Sequence, residues 1–68
     1  MSKFKRNDVI THTKTGGTYK IIMGPEDFVR VERTLTPAYI YKSITHGENT
    51  QWVRPQDEME DGRFVKLD

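Results

Sequence analysis

The chain has no cysteine. That excludes disulfide staples and any zinc site built on thiolates. The only histidines, His12 and His46, lie far apart, and no acidic cluster completes a ligand set around them. No metal and no cofactor are expected. No apolar run approaches the ~20 residues needed to span a membrane. The opening Met1-Ser2-Lys3-Phe4-Lys5-Arg6 is basic, but no apolar stretch follows it, so it is not expected to be a secretory signal. These absences predict a soluble, cytoplasmic protein, in keeping with a reducing compartment.

Size sets the next bound. Sixty-eight residues predict one domain over 1–68, with residues 1–7 as a basic N-terminal arm. A chain of this length buries only about 60% of its unfolded surface. It must hold itself together by apolar packing or by self-association.

A large charge imbalance is missing too; the net charge is +1. Its distribution is uneven, however. Residues 1–23 carry +4, from Lys3, Lys5, Arg6, Lys14 and Lys20 against Asp8, and the remainder carries −3. Asp57, Glu58, Glu60 and Asp61 form the acidic centre. A dedicated duplex binder carries a dominant basic face. Here one end suits phosphate and the other repels it, an asymmetry that also favours head-to-tail protein contact. The plainer alternative is two solvated ends.

Turn signals are dense: Gly16-Gly17, Gly24-Pro25, Thr36-Pro37, His46-Gly47-Glu48-Asn49, Pro55 and Asp61-Gly62. Their close spacing, with no sustained helical period between them, predicts short strands in a barrel or sandwich. The β-branched run Val9–Thr13 reads as the first strand. Lys14–Gly17 reads as a hairpin turn, and Thr18–Met23 as the second strand. Phe28–Leu35 alternates and reads as a third, ended by Thr36-Pro37. Ala38–Ile44 and Thr50–Arg54 follow, with the turn at His46–Asn49 between them. Pro55 suits the start of one helical turn over Gln56–Met59, expected as 3₁₀, before a last strand at Arg63–Leu67. The fold class is therefore all-β: a small, partly open antiparallel barrel of five to six strands with a short 3₁₀ turn before the last one.

The order Tyr41-Lys42, a turn, Trp52-Val53-Arg54-Pro55, a turn containing Met59, then Arg63-Phe64 resembles a small bacterial and phage family of unknown function. That family carries a Trp-Val-Arg-Pro motif on an SH3-like barrel. Upstream, His12, Lys14, Gly16, Gly17 and Tyr19 resemble its basic opening and Gly-Gly-x-Tyr hairpin. The resemblance covers most of residues 9–67, and residues 24–37 depart from it. It implies an architecture and a habitat that includes phage accessory proteins. It brings no reaction with it.

Trp52 is the sole tryptophan. Alternation puts it on one strand face with Arg54, and Val53 with Gln51 on the other. The indole either packs under the short helix, with Arg54 reaching out to water, or forms a surface on which a partner stacks. If Val53 faces the core, Lys42 prefers water and pushes Tyr41 inward, its hydroxyl near a rim. Tyr39, at the start of its strand, is the better candidate for exposure. Arg54 precedes proline and is held extended, with Asp57 and Glu58 as its expected carboxylate partners. Lys3, Lys5 and Arg6 with Phe4 form an arm that either holds phosphate or frays. No serine has a visible base beside it. The clustered carboxylates lack environments that would split their pKa values. No catalytic residue is expected, and the chain reads as a non-enzyme.

Three functions follow as expectations. The first is a protein-binding module, a phage-encoded accessory to a host protein, using Trp52, Arg54, Tyr39, Asp57 and Glu58. A negative groove beside those aromatics would favour basic or proline-containing partners. The second is a nucleic-acid-binding barrel using Lys3, Lys5, Arg6, Lys14 and Lys20. The third is a site for a small anion or nucleotide between subunits. Monomer and homodimer both fit the sequence.

Overall fold

The computed structural model describes residues 2–44 and 49–67. Most of the turn expected at His46–Asn49 lies outside them. The described chain is mostly antiparallel strand: β1 Val9–His12, β2 Thr18–Met23, β3 Arg30–Val31, β4 Thr36–Ser43, β5 Gln51–Pro55 and β6 Phe64–Lys66. One sheet runs β3-β4-β2-β1-β6, with β5 paired to β4. β5 and β6 are not paired with each other among the described residues, so this small all-β, barrel-like fold is open along one seam.

Local chemistry explains most of the elements. The β1–β2 hairpin turns through Gly16, whose φ of 77° suits a residue without Cβ. β2 bulges between Ile21 and Met23, which changes its register against β4. Gly24 then lets the chain pass under Tyr39; a Cβ there would lie 3.0 Å from the ring. A 3₁₀ turn, Pro25–Asp27, follows, its Asp27 carboxylate accepting from the Gly24 N–H at 3.0 Å. The one-turn helix α1, Gln56–Met59, sits where expected before the last strand, but it is α-helical and not the expected 3₁₀. It closes with an α-type bond from Glu60 N–H to Gln56 O.

The segment 28–35 differs from its expected strand. Only Arg30–Val31 pairs, with Thr36 and Pro37 opposite, so Thr36-Pro37 begins β4 instead of ending a strand. Alternation suggested a longer ribbon, but Phe28 and Leu35 adopt φ of 63° and 58°. Positive φ bends the chain back and cannot be read from an apolar-polar pattern. Both side chains are left exposed.

The core is Phe4, Ile10, Ile21, Tyr39, Tyr41, Met59 and Phe64, with Tyr19 packed against it. Two expectations are corrected here. Tyr39 is not exposed: it is fully buried, at 0% relative accessibility. The N-terminal arm is not frayed either. Phe4 inserts into the core, edge-on to Tyr39 with ring centroids 5.8 Å apart. The arm's backbone is held by acids from elsewhere in the chain. Ser2 N–H donates to Glu26 and Lys3 N–H to Glu60, both at 3.0 Å. The Arg6 guanidinium pairs with Asp27 at 2.8 Å. The uneven charge read from the sequence is thus partly spent within the molecule.

Candidate functional site at the open seam

β4 and β5 run antiparallel, with Tyr39 opposite Arg54, Ile40 opposite Val53 and Tyr41 opposite Trp52. Directly opposed residues share a face. The tyrosines, Trp52 and Arg54 therefore point to the concave side, and Ile40 and Val53 to the convex side. Val53 does not face the core; it is 57% exposed. Tyr41 does turn inward, but because Trp52 and Tyr19 pack against it, not because Val53 does.

Four aromatic rings pave the seam. Tyr19 meets Tyr41, Trp52 and Phe64 edge-on at centroid distances of 5.5, 6.1 and 5.9 Å. Tyr41 lies 5.9 Å from Trp52 and 5.7 Å from Phe64. Edge-on rings at such spacings attract through their quadrupoles and hold one another in place. Trp52 is the outermost of the four and stays 37% exposed. It is neither core nor free surface: one side is fixed by tyrosines and the other meets solvent.

Arg54 crosses the seam. Its Nε donates to the Tyr41 hydroxyl at 3.2 Å, and Nη1 reaches Glu58 at 3.5 Å. The guanidinium carbon lies 5.6 Å from the centroid of Phe64. The Tyr41 hydrogen bond, helped by the charges of Glu58 and Asp61, outweighs burial and holds Arg54 more firmly protonated than usual. Glu58 also accepts from Arg63 at 3.2 Å, and Arg63 is bound to Asp61 at 3.1 Å. So Glu58 is a partner of Arg54, as expected. Asp57 is exposed and makes no ion pair among the described residues.

Beside this network lies an open cleft of about 550 Å³ lined by His12, Thr13, Lys14, Arg54, Asp61, Gly62 and Arg63. The pairing of β1 with β6, His12 opposite Phe64, is what brings residues 12–14 to residues 61–63. The His12 Nδ1 accepts from the Thr15 N–H at 3.3 Å. Cations outnumber carboxylates around the opening. The groove beside the aromatics is thus not negative, since Glu58 and Asp61 are engaged by arginines. That removes the basis for expecting a basic partner.

The five cations assigned to nucleic acid do not share one groove. Lys14 lines the seam cleft, while Lys5 and Arg6 line a separate, smaller cavity with Glu26 and Asp27. The Lys3 ammonium sits over its neighbour Phe4, 5.6 Å from the ring centroid. Lys20 projects from β2 directly opposite Lys42.

Tyr39 has another role than the one foreseen. Its hydroxyl donates to Glu60 Oε2 at 2.5 Å and accepts from the Phe4 N–H at 3.1 Å. The same carboxylate oxygen accepts from Gln56 Nε2 at 3.0 Å. Burial, then the bond to Glu60, pushes the phenol up to about 12. Burial would raise the Glu60 carboxyl, but the bonds from Tyr39, Lys3 and Gln56 outweigh it and hold that group below its usual value. His12, Glu60 and Arg63 are the seam and arm residues that sequence reasoning missed. The sequence names His12 and Arg63 only within a resemblance and Glu60 only within the acidic centre; none of the three has a local signal for its contact.

No family model, no curated protein and no solved structure matches the chain. Among the described residues no helix is long and apolar enough to cross a membrane. No group of three or more metal-ligating side chains is present among them either.

Proposed function

We propose that this chain is a non-enzymatic protein-binding module whose contact surface is the open seam. Trp52 is its anchor, and Arg54 with the adjoining cleft gives it polarity. The observation that carries this reading is the partly exposed indole, held by Tyr19 and Tyr41 on the same strand face as Arg54, which lines the open cleft. Fixed Trp and Arg side chains dominate the energetics of protein contacts, because little conformational freedom is lost on binding. Tyr39 plays no direct part in the surface, and Glu58 contributes by holding Arg54 and Arg63 in place. The cations around the opening, Lys14 foremost, suit a partner that presents a carboxylate next to an apolar side chain.

The resemblance noted in the sequence adds a setting: a phage-encoded accessory acting on a host protein in the host cytoplasm. The experiment is affinity capture from host lysate with and without nuclease, using wild type and Trp52→Ala in parallel. The reading requires one protein that survives nuclease treatment and is lost with the variant. Loss of all bound material on nuclease treatment would favour nucleic acid instead. A steep fall of binding with salt would then identify phosphate contacts.

A further inference from the structure

β5 leaves one hydrogen-bonding edge unused among the described residues. Which groups face that edge follows from β4. The Ala38 N–H bonds to Val29 O and the Ile44 N–H to Thr18 O, toward β3 and β2. Alternation then turns Tyr39 and Tyr41 toward β5, where their partners are Arg54 and Trp52. The backbone groups of Gln51, Val53 and Pro55 therefore point to the outer edge. The Val53 side chain stands 57% exposed at that edge, next to Ile40 on the convex face.

We propose that this edge pairs with the same edge of a second copy of the chain, antiparallel and two-fold about Val53. In that register Val53 meets Val53 of the second copy in a hydrogen-bonded pair, and Gln51 meets Pro55. Pro55 has no N–H, so each Gln51–Pro55 pair keeps one of its two bonds, from Gln51 N–H to Pro55 O, and leaves the Gln51 carbonyl to water at the open end of the ladder. Trp52 then lies opposite Arg54 of the second copy, and the reverse. These are non-hydrogen-bonded positions, where opposed side chains approach most closely. Indole and guanidinium are a favourable pair. On the convex face the two Val53 side chains, each flanked by Ile40, join into one apolar strip.

The self-complementarity selects this occupant and this register. Sliding two residues one way sets Arg54 against Arg54, a like-charge contact. Sliding two residues the other way stacks Trp52 on Trp52, but it sets Val53 against Gln51, leaves Arg54 opposite Thr50 and gives up both indole–guanidinium pairs and the valine contact on the axis. A closed two-fold contact of this kind also covers an edge that would otherwise invite open-ended association. A chain of 68 residues with a small core gains from it. The inference uses the strand that carries the partner surface, Trp52 and Arg54 included, so a second copy and a protein partner compete for it; the two are told apart because this test reads oligomeric state and not capture of a partner.

The test is sedimentation over a wide concentration range, joined to NMR on a mixture of isotope-labelled and unlabelled chains. A concentration-dependent dimer is expected, with an intermolecular contact between the α-protons of Trp52 and Arg54. Val53→Lys places two ammonium groups at the two-fold axis and should give a monomer with an unchanged circular dichroism spectrum. Val53→Ile should keep the dimer. A chain that stays monomeric at millimolar concentration overturns the proposal. So does a dimer that survives Val53→Lys or lacks the Trp52–Arg54 contact. If Val53→Lys failed to fold, the contact measured on the wild type would still decide.

Discussion

The Tyr39 hydroxyl donates to Glu60 and accepts from the Phe4 N–H, so one buried oxygen ties the N-terminal arm to the turn after α1. Removing the hydroxyl leaves the Phe4 N–H buried without its partner and Glu60 without its closest donor. A buried amide left unsatisfied costs about 1–3 kcal/mol. Tyr39→Phe should therefore lower stability by about 2 kcal/mol, read as a shift in the urea midpoint with unchanged slope.

The same pair predicts a pH profile. Glu60 is held below its ordinary value of 4.5, so its contribution is complete above that pH and is lost as pH falls through the lower folded value. Tyr39 titrates the other way: its folded value is about 12 against an ordinary 10.0. Its contribution is complete below the ordinary value and fades as pH rises toward the folded one. Thermal unfolding followed against pH should fall on both flanks. Glu60→Gln should flatten the acid flank; an unchanged acid flank would remove Glu60 from the account.

Phe4 tests whether the arm belongs to the fold. It is buried against Tyr39, and Phe→Ala in a packed core costs about 3–5 kcal/mol. For a small domain that is most of the total stability. Phe4→Ala should be largely unfolded near body temperature by circular dichroism, whereas an arm of merely basic character would tolerate the change.

Leu35 is 72% exposed and sits at a φ of 58°. Asparagine accepts that conformation more readily than leucine. Leu35→Asn should raise stability by about 0.5–1 kcal/mol in a denaturation series, and Leu35→Val should lower it.

How much of this was legible in the sequence differs by distance along the chain. Local chemistry revealed the β1–β2 hairpin, β2, β5 and the helical turn, because Gly16, Pro55 and the β-branched runs act on their neighbours. The shared face of Trp52 and Arg54 followed from alternation alone. What failed depended on remote partners. The burial of Tyr39 is not legible from its neighbours, because Phe4 and Glu60, which close over its hydroxyl, lie 35 and 21 residues away. His12 met Arg63 only through the β1–β6 pairing. The segment 28–35 misled because its alternation is real but its backbone turns at Phe28 and Leu35.

The central claim is that the half-exposed indole at the seam binds a protein while contributing only modestly to folding. Loss of its edge-on contact with Tyr19 and its tilted contact with Tyr41 should cost about 1–3 kcal/mol beyond area burial, and with the ring already 37% exposed the burial lost is less than for a core aromatic such as Phe4, so the variant is expected to stay folded. The most direct measurement combines the circular dichroism melt of Trp52→Ala with its capture of host protein after nuclease treatment. The account predicts a folded variant that no longer retains the protein held by the wild type. A folded variant that still retains it, or one that cannot fold at all, would contradict the claim.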